Sequence, residues 1–127
     1  MDDSLNLARL PSPLALAYLG DARHALFIRR MLVERGLCRS GELNSEALKY
    51  VTAEAQAAAF SRIEDMLTED ERAMFGYASN STHLNKPKHA SAKDYRTATG
   101  FEAVIGMLDF LGMQDRIDEL LTLAHGE

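Results

Sequence analysis

Two carboxylates in this chain stand on otherwise apolar stretches, and each demands a physical reason. Asp21 lies in LALAYLGDARHALFIRRML, residues 14–32, and Glu102 in ATGFEAVIGMLDFLG, residues 98–112. Small residues flank both: Gly20 and Ala22 beside Asp21, and Gly100, Ala103 and Gly106 around Glu102. A glycine inside a helix costs about 1 kcal/mol relative to alanine, so Gly20 points to something packed closely against it. Two such helices could cross with their acids facing one another. Unpaired carboxylates are costly to bury, and a divalent, oxygen-seeking cation such as Mg²⁺ is one way to offset that cost. The other arrangement open to each acid is a solvated rim position, or a pair with Arg23, Arg29 or Arg96.

The elements that must hold these acids read as helices. Apolar residues recur at Leu14, Tyr18, Ala22 and Ala25 and again at Leu19, Leu26 and Ile28, which predicts an amphipathic helix with a wide buried face from about Pro13 to Arg35. Ser12 before Pro13 supplies its N-cap and Gly36 its stop. After a turn over residues 36–41, Glu42 to Met66 forms a second helical stretch with Leu43, Ala47, Tyr50, Val51, Ala55, Ala58, Ile63 and Met66 as apolar positions. Thr52 in mid-run can cap a break, which would divide the stretch into two helices meeting at a bend. Thr68 and Glu71 make a T-x-x-E capping box for a short helix through Ala73, Met74 and Tyr77. Ser91 and Asp94 open a helix from about Ala92 to Leu111 that Gly112 ends, and a last amphipathic helix runs from Gln114 to Ala124. No segment shows strand alternation, so the expected fold is all-α with five or so helices.

At 127 residues and 46% hydrophobic content the chain suits one domain, residues 1–127, with Met1 to Leu10 as a loosely held, flexible arm. Cys38 is the one cysteine, so neither an intrachain disulfide nor a cysteine zinc cluster is available, and a cytoplasmic protein is expected. The opening MDDSLNLARL is acidic and no apolar run approaches the roughly 20 residues of a membrane span, so no membrane partner is expected. His24, His83, His89 and His125 lack ligand-like spacing. Net charge is −5, which alone argues against a nucleic-acid partner. The charge is segregated, however: residues 76–100 carry +3 from Lys86, Lys88, Lys93 and Arg96 against Asp94, while residues 109–127 carry −4. At the centre of the basic segment is a long polar loop with Lys86, Pro87 and Lys88 at its middle.

The string LAYLGDA, followed about eighty residues later by FEAVIG, resembles the two signature segments of the ribonuclease III catalytic domain, and the resemblance covers nearly the whole chain, from about Leu14 to Leu121. The short length, the strings ALKYVTAEAQA and YRTATGFEA, and the absence of a following double-stranded-RNA-binding domain resemble the Mini-III branch. The resemblance implies a homodimeric, all-helical bundle that cleaves double-stranded RNA with Mg²⁺, for which Mn²⁺ can substitute, and that acts in maturation of the large-subunit (23S) ribosomal RNA precursor, with a ribosomal protein as a further possible partner. Carried over by motif, Asp21 and Glu102 are the catalytic acids and metal ligands. Larger ribonuclease III enzymes have a glutamate four residues before the aspartate and an aspartate three before the glutamate; here those positions are Ala17 and Thr99. The Mini-III branch shares that reduction, which leaves water to fill the vacated metal positions.

Lys86 and Lys88 are the first candidates for phosphate contacts, in an RNA-contacting loop over residues 79–91, and the same lysines also fit a solvated loop. Asn80, Thr82 and His83 could add polar contacts, and Lys49 and Arg96 either phosphate contacts or surface ion pairs. Apolar excess on the first helix and near Phe101 to Leu111 could serve a dimer contact. Two rivals remain open: a non-catalytic RNA-binding or ribosome-associated protein of the same fold, and an all-α nucleotide pyrophosphohydrolase, whose E-x-x-E spacing neither helix offers.

Overall fold

Helix ends fall where local capping chemistry puts them. In a computed structural model that describes residues 6–81 and 91–126, the Ser12 hydroxyl accepts the Ala15 N–H and opens α1, Pro13–Glu34. Its end is a Schellman turn: Gly36 takes φ +92°, its N–H donates to the Val33 carbonyl, and the Leu37 N–H reaches back to Leu32. Gly112, at φ +75°, closes α5, Ala92–Phe110, in the same way, with Met113 donating to Leu108 at 2.8 Å.

The second helical stretch divides where Thr52 stands. Strand-like dihedrals at Thr52 end α2, Ser40–Val51, and its hydroxyl caps α3, Ala53–Ser61. A 3-10 turn at Glu64–Met66 then leads to α4, Glu69–Asn80, whose Thr68–Glu71 capping box is complete in both directions. The chain closes with α6, Gln114–Ala124, and no strand occurs among the described residues. Glu71 also joins α4 to α6, since Arg116 of α6 grips its buried carboxylate through two contacts of 2.9 Å and donates to the Met66 carbonyl as well. Burial would raise the Glu71 pKa, but the Arg116 guanidinium and the Thr68 N–H hold it below the ordinary carboxylate value.

α5 runs through the middle. One set of its buried residues, Phe101, Val104, Ile105 and Leu108, packs with Phe60, Ile63 and Ile117, Leu120 and Leu121. Ala103 and Met107 pack on the other side with Leu16, Ala17, Met74 and Ala78. Gly100 leaves room for the Phe75 ring, which stacks face to face on Phe60 with centroids 4.3 Å apart.

Three sequence expectations are corrected here. The buried stripe of α1 is Leu16, Ala17, Gly20, His24, Ile28 and Leu32, not the row begun by Leu14 and Tyr18. Leu14, Tyr18, Ala22 and Leu26 point outward, Tyr18 being 85% exposed. The apolar excess near Phe101 to Leu111 is spent inside this chain as far as Leu108, leaving only Phe110 and Leu111 exposed. Part of the N-terminal arm is also tied down: Leu7–Arg9 forms a 3-10 turn, capped by the Asn6 side chain, and Leu7 and Leu10 pack against the core. Residues 1–5 lie outside the described residues.

Candidate active site

α1 and α5 cross with their backbones in contact. A methyl group on Gly20 would overlap the Glu102 carbonyl oxygen and lie 2.8 Å from the Gly106 nitrogen; one on Gly106 would overlap the Leu16 carbonyl. Only a residue without a Cβ fits at either point. The crossing brings together the two acids flagged in the sequence, because Asp21 follows Gly20 and Glu102 lies one turn before Gly106. From Ala98 to Leu108 every residue of α5 is buried except Glu102, which is half-buried and opens the helix to the surface there. Asp21 is exposed, a correction to the buried setting that its apolar neighbours suggested.

Asp21 lies close enough to Glu102 to act on it: burial, then Asp21, push the Glu102 pKa up to about 8, against a weaker pull from Gln56. With its pKa so raised, Glu102 favours its protonated form at neutral pH, and a cation beside the two acids would relieve the same crowding of negative charge. No cation among the described residues pairs with either acid. Arg23, the nearest candidate in sequence, donates instead to Gln114 at 3.0 Å and Asp118 at 3.1 Å on α6. Asp21 and Glu102 therefore fit a divalent, oxygen-seeking ion in donor type and charge, and among the described residues no third His, Cys, Asp or Glu joins them. Ala17 and Thr99 are both buried, and the Thr99 hydroxyl is turned back to the Tyr95 carbonyl at 3.0 Å. A cleft between α1 and α6, lined by Arg23, Leu26, Arg30, Gln114 and Asp118, includes neither acid.

Three of the residues expected to touch RNA lie among the described residues. Lys49 is exposed on α2 and paired with Glu46 at 2.9 Å. Asn80 ends α4, and Arg96 is exposed near the start of α5. Thr82, His83, Lys86 and Lys88 lie outside the described residues, as does most of the 79–91 loop.

Two neighbours of the acids were not anticipated. Gln56 of α3 reaches Glu102, and its only signal in the sequence is a single amide in the alanine-rich run AEAQAAAFS. His24, one turn beyond Gly20, is 2% exposed and sits with its Nε2 2.9 Å from that of His125 at the end of α6. Phe27 stacks on His125 and Tyr50 meets it edge-on. Burial, then His125, lower the His24 pKa to about 4, with Asp21 pulling the other way. The unfolded imidazole takes up its proton near pH 6.5 and the folded one near 4, so this contribution is whole above 6.5 and lost as pH falls through 4. It amounts to at most about 3 kcal/mol. Denaturant midpoints recorded from pH 7.5 to 4 should fall more steeply for the wild type than for His24→Phe; parallel curves would assign the acid sensitivity to another group.

Comparison with known proteins gives this geometry its class. The ribonuclease III domain profile matches residues 14–110, and the chain belongs to the ribonuclease III family and is an endoribonuclease. Its relatives are of the Mini-ribonuclease 3 type. The Mini-ribonuclease 3 of Symbiobacterium thermophilum is 42% identical over 88% of this chain and 86% of that protein. That of Streptococcus pneumoniae is 38% identical over 86% and 87%. The crystal structure of a Fusobacterium nucleatum protein superposes with a TM-score of 0.83 at 29% identity, covering 91% of this chain and 92% of that one. No helix among the described residues is long and apolar enough to cross a membrane.

Proposed function

We propose that the chain, as one catalytic domain over residues 1–127, is a Mg²⁺-dependent endonuclease of double-stranded RNA in which Asp21 and Glu102 hold the metal; Mn²⁺ would serve in its place. The observation that carries this reading is the meeting of the two carboxyls across the Gly20–Gly106 contact, with Glu102 retaining a proton that a cation would replace. When bound, the divalent ion supplies charge stabilisation at the scissile phosphate and makes water a better nucleophile. The chain's own groups do the rest. Asp21, exposed, and Glu102, half-buried and anchored on α5, would hold the ion, which would require Glu102 in its ionised form. With two protein carboxylates, the chain would leave the rest of the ion's coordination to water and substrate. The products carry a 5′-phosphate and a 3′-hydroxyl.

Phosphate contacts are assigned to Lys86 and Lys88, with Asn80, Thr82, His83, Lys49 and Arg96 as further polar contacts, reading the duplex by shape. The working form is a homodimer. The outward row of Leu14, Tyr18, Ala22 and Leu26 supports this, because an apolar stripe left uncovered beside Asp21 suits a second copy and would place two sites in one groove. From the resemblance of the motifs to the Mini-III branch, we assign as substrate the large-subunit (23S) ribosomal RNA precursor, with a ribosomal protein as helper, in the cytoplasm, where the exposed Cys38 thiol would stay reduced.

The test is incubation of a long RNA duplex and its separated strands with the protein at low salt, with Mg²⁺, Mn²⁺ or EDTA. Cleavage of the duplex alone, only with metal and with 5′-phosphate ends, is expected. Duplex binding without cleavage under any divalent ion would overturn it.

A further inference from the structure

α3 carries one polar residue that packing alone does not explain. Gln56 is 3% exposed, and its Nε2 donates to the Val51 carbonyl at 3.0 Å and reaches Glu102 Oε2 at 3.4 Å. Its Oε1 is buried with no hydrogen-bond partner among the described residues. A buried, unpaired acceptor is destabilising, and methionine would fill the same space without one. The other buried residues of α3, Ala59 and Phe60, are apolar.

The orientation of the amide is set by its neighbours. Val51 is the last residue of α2, and the first free N–H groups of α3 are taken by Thr52: its hydroxyl accepts from Ala55 and its carbonyl from Gln56. The Val51 carbonyl is thus left to the Gln56 side chain, which must turn its NH₂ toward it. A flipped amide would set Oε1 against the Val51 carbonyl, acceptor facing acceptor. Gln56 therefore presents a donor to Glu102 whichever way the rest of the site is arranged.

From this geometry we infer that Gln56 is a positioning residue: it tethers one oxygen of Glu102 to the α2–α3 bend, so that the other is presented toward Asp21 and a cation held between them. This rests on the reading of Glu102 as a metal ligand. Partners of this kind fix ligand direction, and their loss typically costs about ten- to a hundredfold in metal affinity.

The test is calorimetric titration of Mn²⁺ into wild type, Gln56→Met and Glu102→Gln, with side-chain amide NMR on the same proteins. The expected result for Gln56→Met is Mn²⁺ affinity weaker by about tenfold or more, a lower kcat and an unchanged KM for duplex RNA. The Gln56 NH₂ signal, assigned by its loss in Gln56→Met, should shift in Glu102→Gln and on adding Mg²⁺ to the wild type. Wild-type affinity in Gln56→Met with binding lost in Glu102→Gln would overturn the inference and leave the metal site standing. Full Mn²⁺ affinity in Glu102→Gln would overturn the metal site and the inference with it. Should Gln56→Met fail to fold, the NMR arm decides: the Gln56 NH₂, assigned by through-bond correlation among the chain's two glutamines and four asparagines, must move with Glu102→Gln and with Mg²⁺, and its standing still would overturn the inference.

Discussion

Asp21→Asn and Glu102→Gln should each lower duplex cleavage by more than about a hundredfold, beyond the range brought by loss of an outer partner of a metal ligand. Both substitutions keep size and hydrogen-bonding capacity, so the fold should survive. Glu102→Gln in particular imitates the protonated carboxyl that the metal-free site prefers, since the Glu102 pKa is pushed up to about 8 by burial and Asp21. The sign of its pH dependence follows. Without metal, the protonated site contributes stability that is whole below the ordinary value of 4.5 and lost as pH rises through 8. Above pH 8, metal-free Glu102→Gln should therefore be at least as stable as the wild type. Metal binding has the opposite slope, because the ion displaces a proton: apparent Mn²⁺ affinity should climb by up to about tenfold per pH unit below 8 and then level. Cleavage rates, thermal midpoints and Mn²⁺ titrations on the three proteins check all of this. Undiminished cleavage by both variants would remove the two acids from the mechanism.

Gly20→Ala and Gly106→Ala should cost about 3 kcal/mol or more each, at the upper end of overpacking penalties. In both, the added methyl meets a backbone carbonyl, of Glu102 or of Leu16, and no side-chain rotation can clear it. Alanine's better helix propensity returns only about 1 kcal/mol. Gly76, inside α4, is the control: a Cβ there meets nothing within 4 Å, so Gly76→Ala should hold or raise stability by up to about 1 kcal/mol. Urea midpoints compare the three. A Gly20→Ala protein as stable as the Gly76→Ala protein would mean that the two helices can part without cost. Cleavage should fall with stability in the Gly20 and Gly106 variants, because the same displacement that relieves the clash separates Asp21 from Glu102.

What the sequence discloses here is mostly what depends on near neighbours. Ser12, Thr52, Thr68 and Ser91 each cap the helix that follows, and Gly36 and Gly112 each end one, because capping is settled within four or five residues. The signature segments single out Asp21 and Glu102 as candidates, and Gly20 announces the close approach without naming its partner. Periodicity misleads on α1 for a physical reason: the helix is apolar on two sides, and the small residues Ala17 and Gly20, which carry little hydrophobic weight, form part of the side that α5 covers. Gln56 and the His24–His125 pair escape detection because their meaning lies in partners 46 and 101 residues away.

The Gly20–Gly106 contact also fixes an order of events in the life of each molecule. Its two halves lie 86 residues apart in the sequence, so a nascent chain that has not passed Gly106 has no partner for α1 and no opposed carboxyls. A product stopped short of that point brings no opposed acids to an RNA. If Asp21 and Glu102 make the cut, an enzyme that is itself made on an RNA template gains the capacity to cut only after α1 to α4 have all been made.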